Sequence, residues 1–397
     1  MAKIILKKGR EESLKRFHPW VFSGAIAQIV GEPAEGDVVE VYGQDGKFLA
    51  AGHYQIGSIA VRVLSFESGV INDDYWKSML SRALAVRIAT GLADSETTNC
   101  YRLVHGEGDN LPGLIIDWYD GVCVMQAHSA GMFRAKKQIA QALVEIYGDK
   151  LKAVYDKSSG TAPFKAGLDL VDGYLYKKDG FNDNEQVVIE NGHKFIVNWT
   201  EGQKTGFFLD QRENRALVEK YAKGRNVLNL FCYTGGFSIY ALGAGAVHVD
   251  SVDSSAKAMA LVDKNVEIGG FDKSRHTSLC VDALDYLRDV PEDKYDLMIV
   301  DPPAFAKHRG ALNNALRAYQ RLNAAAISKV APGGFVFTFS CSQVVTKEAF
   351  ALAVFSAAAQ TGRKVRILDR LNQPSDHAVN IFHPEGEYLK GLLLYVE

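Results

Sequence analysis

The feature that most constrains the fold is an alternation of strand-like and helical stretches over residues 186–397. Strands separated by helices usually pair in parallel, because a parallel pair needs a long crossover connection. The pattern therefore predicts an α/β domain with a doubly wound, mostly parallel sheet. Its expected strands are Val227 to Phe231, Val247 to Val252, Ser278 to Val281, Asp296 to Val300, Phe335 to Phe339, Val365 to Leu368 and Tyr388 to Val396.

The first 185 residues lack this alternation and divide into two further segments. Short strands and turns predict a small, barrel-like β module over residues 1–72. Residues 73–185 mix strands with helices, one of them expected from Phe133 to Tyr147, which predicts a connecting α+β domain. A hairpin signal at Asn191-Gly192 then opens the third domain, residues 186–397.

Composition and charge exclude several classes of protein. Lys plus Arg total 45 and Asp plus Glu total 47, so the net charge is −2; this excludes a globally basic protein and confines any nucleic-acid site to a local patch. A hydrophobic content of 47% is too high for a disordered chain. The five cysteines are scattered and form no C-x-x-C pair. We therefore expect a cytoplasmic enzyme without a structural metal, a signal peptide or membrane association.

Two local concentrations of positive charge stand out against this near-neutral background. The first 20 residues hold six basic and two acidic residues, and residues 304–347 hold six basic residues and no acidic one. Such fields suit a substrate that carries phosphates, although exposed charge is also simply solvated surface. The candidate RNA contacts are Lys7, Arg10, Lys307, Arg309, Arg317 and Arg321.

A small-residue turn after the strand Val227 to Phe231 suggests a nucleoside site. Glycines at a strand-to-helix turn let a ligand approach the backbone beside a helix N-terminus. The dinucleotide fingerprint G-x-G-x-x-G is absent, but Asp253 and Asp282 follow the next two strands, where carboxylates can meet a ribose and an adenine edge. The candidate cofactor-binding residues are Phe231, Tyr233, Thr234, Gly235, Gly236, Phe237, Asp253 and Asp282.

The fourth and fifth strands of the third domain end in residues that can act on a base. Asp301 precedes Pro302 and Pro303, which hold its carboxylate on a rigid, extended backbone where it can accept from a planar amino group. Cys341 lies just past the fifth strand, where a nucleophile would be needed; the competing interpretation is a small buried hydrophobe. Cys280 lies inside a predicted strand and is expected in the core.

Seven motifs along the chain are those of a known family. They are His18 to Gly24, Tyr101 to Leu103, Gly106 to Gly113, Lys204 to Arg212, Phe231 to Phe237, Asp301 to Pro303 and Phe339 to Ser342. With these motifs, in this order, the chain resembles the ribosomal large subunit methyltransferase I family over essentially its whole length.

The resemblance implies transfer of a methyl group from S-adenosylmethionine to C5 of a cytosine in 23S ribosomal RNA. It also implies an N-terminal PUA domain that binds RNA, a central α+β domain and a C-terminal, Rossmann-like class I methyltransferase domain. A homodimer is compatible with it. Cys341 would be the nucleophile, and Asp301 would lie at the target base with Pro302 and Pro303. The motif that ends at Arg212 adds Asp210, Gln211 and Arg212 to the expected cofactor contacts.

Two other functions stay open at this point. Asp-Pro-Pro followed by an aromatic residue marks methyltransferases that act on exocyclic amino groups of bases. Here Ala304 follows, with Phe305 one position later, and Cys341 would have no role in that reaction. The other alternative is a non-catalytic, RNA-binding assembly factor that keeps the methyltransferase fold as a scaffold. Binding of S-adenosylmethionine separates this scaffold from an enzyme, and the chemical identity of the methylated nucleoside separates the two reactions.

Overall fold

A computed structural model describes residues 1–163 and 166–397. The chain forms two compact units, each assembled from separate stretches of sequence. The first unit contains residues 1–186, 197–209 and 375–386, and the second contains residues 187–196, 210–374 and 387–397. None of the helices in the described stretches combines the length and the hydrophobicity that a membrane-spanning segment requires.

The first unit begins with a small β module. Its elements are β1 (Ala2–Leu6), α1 (Glu12–Lys15), β2 (Trp20–Phe22), β3 (Ile26–Val30), β4 (Val38–Tyr42), β5 (Phe48–Tyr54) and β6 (Ile59–Ser65). The strands form one sheet in the order β2-β6-β5-β4-β1-β3, in which β1 and β4 pair in parallel and the other neighbours are antiparallel. Alternate residues such as Ile4, Leu6, Val39 and Val41 point into its core.

A second, five-stranded sheet follows in the same unit. Its elements are α2 (Asp73–Ala89), β7 (Cys100–His105), β8 (Leu114–Tyr119), β9 (Val122–Ala127), α3 (Ala130–Arg134), α4 (Lys136–Tyr147), β10 (Ala153–Asp156) and β11 (Gly173–Lys177). The strand order is β11-β10-β9-β8-β7. Residues of α2 and α4, including Trp76, Leu80, Ile139 and Leu143, belong to the hydrophobic core of this part, so it is the α+β arrangement that the sequence predicts.

One predicted helix of this region is divided in the structure. The stretch expected as a single helix from Phe133 to Tyr147 consists of α3 and α4, which meet at Ala135. The first helix begins three residues early because the Ser129 hydroxyl accepts a hydrogen bond from the Met132 amide at 3.3 Å. This capping residue is visible in the sequence, whereas no proline or glycine marks the break at Ala135.

The second unit carries the alternating α/β pattern. A hairpin with its turn at Asn191-Gly192, where both residues have positive φ, precedes this pattern; only residues 187–196 of its two strands belong to the second unit. The elements are β12 (Glu185–Glu190), β13 (His193–Asn198), α5 (Arg212–Ala222), β14 (Asn226–Leu230), α6 (Gly236–Gly243), β15 (His248–Asp253), α7 (Ala256–Ile268), β16 (His276–Cys280), α8 (Ala283–Asp289), β17 (Tyr295–Val300), α9 (Leu312–Lys329), β18 (Val330–Ser340), α10 (Lys347–Thr361), β19 (Val365–Asn372) and β20 (Lys390–Val396).

Seven of these strands form one sheet in the order β16-β15-β14-β17-β18-β20-β19. Neighbours from β16 through β18 are parallel, and β20 runs antiparallel to both of its neighbours. Central strand residues such as Leu228, Met298 and Val336 are buried in the core together with residues of the flanking helices. The predicted doubly wound, mostly parallel sheet is confirmed.

The strand β18 is longer than the sequence predicts. It begins at Val330 rather than at Phe335, although Pro332-Gly333-Gly334 is typical of a turn. The structure accommodates these residues as an irregularity in the pairing: Tyr295 pairs with Val330, and Leu297, only two residues later, pairs with Phe335.

Candidate active site

The carboxyl ends of four parallel strands meet at one edge of the second unit's sheet. Leu230 of β14 pairs with Val252 of β15 and Val300 of β17, and Val300 pairs with Thr338 of β18. The residues that follow these positions therefore emerge at the same edge, beside the point where the strand order reverses between β14 and β17. They include the predicted site residues Phe231, Asp253, Asp301 and Cys341.

The turn from β14 to α6 has an unusual backbone. Phe231, Tyr233 and Gly235 have φ values of 57°, 47° and 77°, and the left-handed region costs a residue with a side chain about 1 kcal/mol or more. The Tyr233 amide donates to Asp253 Oδ2 at 3.0 Å, and the Ser255 amide donates to Asp253 Oδ1 at 2.9 Å. The Asp253 carboxylate thus holds the turn while it stays partly exposed.

Packing within the protein also requires the two glycines of this turn. A Cβ atom on Gly235 would lie 2.9 Å from Val262 Cγ1, and one on Gly236 would lie 3.1 Å from Arg215 Cδ. The Thr234 carbonyl accepts from Asn265 Nδ2 at 2.9 Å. The glycines therefore serve internal packing as well as the approach of a ligand.

The predicted adenine-side residue has a local role of its own. The Asp282 carboxylate caps α8 by accepting from the amides of Leu284 and Asp285 at 2.8 and 3.0 Å. Its side chain is exposed, so it presents a carboxylate to solvent at the end of β16.

The residues that precede α5 connect the predicted cofactor and base contacts. Gln211 Nε2 donates to Asp301 Oδ2 at 2.9 Å, and Asn214 Nδ2 donates to Gln211 Oε1 at 2.5 Å. Asp210 accepts from the Tyr388 hydroxyl at 2.7 Å. Gln211, expected at the cofactor, therefore lies against Asp301, expected at the target base.

Arg212 belongs to a buried charge cluster. The Glu190 carboxylate accepts from Arg215 Nε and Nη2 at 2.7 and 2.8 Å and from the Tyr240 hydroxyl at 3.0 Å. Arg212 Nε lies 3.5 Å from Glu190 Oε2, and the side chains of both residues are buried. A buried carboxylate needs such partners, so Arg212 has a structural role that the sequence does not reveal.

Cys341 is partly exposed between two buried serines at the end of β18. The Ser340 hydroxyl donates to the Tyr319 hydroxyl at 2.9 Å, which is also 3.2 Å from Ser342 Oγ. Lys390 Nζ donates to the carbonyl oxygens of Ser342 and Val345, both at 2.7 Å. Neither Tyr319 nor Lys390 is predicted from the sequence; the signal for Lys390 is a lysine at the start of a strongly apolar strand.

Two other cysteines differ from Cys341 in their surroundings. Cys232 is buried, and this burial, together with the charge of Asp253, raises the pKa of its thiol well above the ordinary value, which disfavours the reactive thiolate. The prediction that Cys280 lies in the core is wrong, because β16 is the edge strand and Cys280, its last residue, is exposed.

The predicted RNA contacts lie on the surface, apart from one proline. Pro302 is buried directly after Asp301, whereas Pro303 is exposed. Lys7 follows β1 and donates to the Gly24 carbonyl at 2.9 Å. The exposed basic side chains are Lys7, Arg10, Lys307, Arg309, Arg317 and Arg321, the last two on α9.

The comparisons with known proteins agree with this architecture. Residues 4–66 match the PUA-like domain family, and residues 101–392 match the S-adenosylmethionine-dependent methyltransferase family. "Ribosomal RNA large subunit methyltransferase I" from Aeromonas hydrophila subsp. hydrophila is 42% identical over 99% of both chains. This chain belongs to the ribosomal RNA large subunit methyltransferase I family.

Solved structures of other methyltransferases are similar to this methyltransferase over its full length. A chain described as a SAM-dependent methyltransferase from Streptococcus mutans superposes with a TM-score of 0.84 at 25% identity, and each chain is covered completely. A second methyltransferase structure, complexed with SAH, gives a TM-score of 0.85 at 25% identity with the same coverage.

S-adenosylmethionine is the cofactor of this family, and the sheet edge of the methyltransferase has groups that fit it. Asp253 presents a partly exposed carboxylate and Asp282 an exposed one, which are suitable acceptors for ribose hydroxyls and an amino group. Phe231 and Tyr233 offer partly exposed aromatic rings in the turn after β14. This strand lies between β15, which ends at Asp253, and β17, which Asp301 follows.

Proposed function

We propose that this enzyme methylates C5 of a cytosine in large-subunit (23S) ribosomal RNA through a covalent bond between Cys341 and C6 of that base. The observation that carries the proposal is the position of Cys341. Cys341 is partly exposed and directly follows β18, on the same sheet edge as Asp253 and next to β17, which Asp301 follows. The ribosomal substrate is inferred from the names of the relatives and from the PUA-like domain.

The chemistry explains why a thiol is needed. C5 of cytosine is a poor nucleophile, and addition of the Cys341 thiolate to C6 moves electron density to C5. When bound, S-adenosylmethionine supplies the electrophilic methyl group that C5 takes. A base then removes the C5 proton, the double bond between C5 and C6 forms again, and Cys341 leaves as a thiolate.

The other residues of the edge have separate roles in the proposal. Asp253 and Asp282 hold the cofactor, with the turn from Phe231 to Phe237 beside them. The Asp301 carboxylate, oriented by Gln211, accepts from the exocyclic amino group of the cytosine. Pro302 and Pro303 hold the chain after Asp301 extended. The basic residues Lys307, Arg309, Arg317 and Arg321, together with Lys7 and Arg10, contact RNA phosphates.

The test uses 23S ribosomal RNA transcribed with 5-fluorocytidine in place of cytidine. Fluorine at C5 cannot leave as a proton does, so the bond between Cys341 and C6 persists and a protein–RNA band appears on a denaturing gel. We expect this band with the unaltered enzyme and with Cys280→Ala, which removes an exposed cysteine away from Asp301. We expect no band with Cys341→Ala.

The same RNA distinguishes the alternatives. An active enzyme that forms no adduct, and whose product carries the methyl group on an exocyclic nitrogen, acts through Asp301 on an amino group. A protein that binds S-adenosylmethionine but transfers no methyl group to any ribosomal RNA substrate, including assembly intermediates, contradicts both reactions. Mass spectrometry of the product nucleosides separates these results.

A further inference from the structure

The side chain of Lys390 is unusual for its position. It is the first residue of β20, pairs with Ser340 of β18 and is only 5% exposed, whereas the rest of β20 is apolar. Its ammonium donates to the carbonyls of Ser342 and Val345 at 2.7 Å each. Burial of an ammonium is costly even with such partners. An apolar residue would suit the strand better, so packing alone does not explain the lysine.

We infer that Lys390 is a positioning residue for Cys341, which holds the main chain around the thiol and supplies the positive charge that stabilises the thiolate. The inference rests on the proposed function and adds a residue to it. Two hydrogen bonds fix the carbonyls of Ser342 and Val345, on the C-terminal side of the nucleophile. Since an adjacent cation favours the thiolate, the same side chain also prepares Cys341 for attack.

The charges around Lys390 agree in sign with this role. Burial lowers the pKa of Lys390 to about 8, while the nearby charges of Cys341 and Glu387 act to raise it and Lys347 acts to lower it. Lys347 and Glu387 form an ion pair with each other. Near neutral pH Lys390 is therefore still protonated, and the attraction between its charge and the thiolate acts equally on both groups.

The experiment measures the rate of alkylation of Cys341 by iodoacetamide as a function of pH in the full-length protein without RNA. Peptide mass spectrometry reports each cysteine separately, and the exposed Cys280 is an internal reference in every sample. We expect Lys390→Met to move the pH of half-maximal reactivity of Cys341 upward by at least about one unit, equal to about tenfold slower alkylation at low pH. Lys390→Arg, which keeps the charge, should restore most of the reactivity.

Arg363 provides a matched control, because it binds the main chain at the start of β18, whereas Lys390 binds it just after the end of β18. Its Nη1 donates to the carbonyl of Ile327 at 2.8 Å and to that of Val330, the first residue of β18. Arg363→Met thus also removes a cation that binds two carbonyls beside β18, but far along the strand from Cys341. It should lower the free energy of unfolding and leave the pH profile of Cys341 unchanged.

Three results would overturn the inference: an unchanged pH profile in Lys390→Met, an equal shift in Arg363→Met, or a half-maximal pH in the unaltered enzyme at or above that of free cysteine, about 8.5. The last measurement carries the test if Lys390→Met does not fold. Failure of the proposed function is distinguishable, because it appears as a missing fluorocytosine adduct in an enzyme whose Cys341 alkylation still depends on Lys390.

Discussion

The two sides of the sheet edge are built by different means. On the proposed cofactor side, the main chain shapes the turn from Phe231 to Gly235: every second residue has a left-handed backbone, and the Asp253 carboxylate binds two backbone amides. On the side of the proposed nucleophile Cys341, side chains fix the segment after Ser340, through the Tyr319 hydroxyl and the Lys390 ammonium. The comparison shows that one sheet edge combines a backbone-defined site with a side-chain-defined site.

The difference has a consequence for substitutions. A backbone-defined turn tolerates changes at most side chains but not at a glycine or at the carboxylate that holds it. A side-chain-defined segment depends on each partner of its network. If the two sides also serve different ligands, changes on one side should leave the property of the other side intact.

The largest expected effect comes from Cys341→Ala. Removal of a covalent nucleophile should reduce methyl transfer to 23S ribosomal RNA by at least about a thousandfold, because the other two cysteines at this edge are poorly placed to replace it: Cys232 is buried, and Cys280 ends the edge strand β16, away from Asp301. The dissociation constant for S-adenosylmethionine, measured by titration calorimetry, should not change. Cys280→Ala is the control and should keep full activity. Substantial activity in Cys341→Ala would exclude the covalent mechanism.

The second prediction concerns the cofactor side. A hydrogen bond to a charged group such as a carboxylate contributes about 1.5–3 kcal/mol. Asp253→Ala, which removes the proposed acceptor for the ribose hydroxyls, should therefore weaken S-adenosylmethionine binding at least about tenfold. The alkylation profile of Cys341 should stay the same.

Asp250 is the matched control because it lies on the same strand, near the opposite end. Its carboxylate accepts from Lys294 Nζ at 2.8 Å and from the Tyr295 hydroxyl. Asp250→Asn should therefore lower the free energy of unfolding without a change in cofactor affinity. Calorimetry that gives equal affinities for Asp253→Ala and the unaltered enzyme would remove Asp253 from the cofactor site.

The third prediction tests the backbone-defined turn directly. Gly235→Ala places a side chain at φ 77° and a Cβ atom 2.9 Å from Val262, so we expect a loss of about 1–3 kcal/mol in the free energy of unfolding. Gly270→Ala has a similar φ of 71° with open space around the added atom. The difference between the two variants in denaturant unfolding isolates the contact with Val262. Equal losses would mean that only the backbone conformation matters.

The parallel sheet is predictable from the sequence, because each of its central strands is a run rich in apolar and β-branched residues between two helical stretches. The sequence also placed Asp253, Asp301 and Cys341 at strand ends, which a parallel sheet brings to one edge. It could not find Lys390, which lies 48 residues from Ser342 along the chain, because that contact exists only once β20 pairs with β18. It likewise missed the role of Arg212, since Glu190 comes from a separate hairpin.

The smallest expected effect concerns the basic surface beyond Asp301. Arg317 and Arg321 are exposed and four residues apart on α9, so they lie on one face of that helix. If both contact phosphates, Arg317→Ser/Arg321→Ser should flatten the dependence of RNA affinity on salt. The slope of log K against log salt should fall by about 1.4 for single-stranded RNA or 1.8 for a duplex. The affinity itself should fall severalfold, whereas S-adenosylmethionine binding should not change.

Lys264→Ser is the control for this prediction. It removes an exposed positive charge from α7, on the proposed cofactor side, and should leave the slope as it is. An unchanged slope in the double variant would show that α9 only carries solvated charge and that the RNA is held elsewhere.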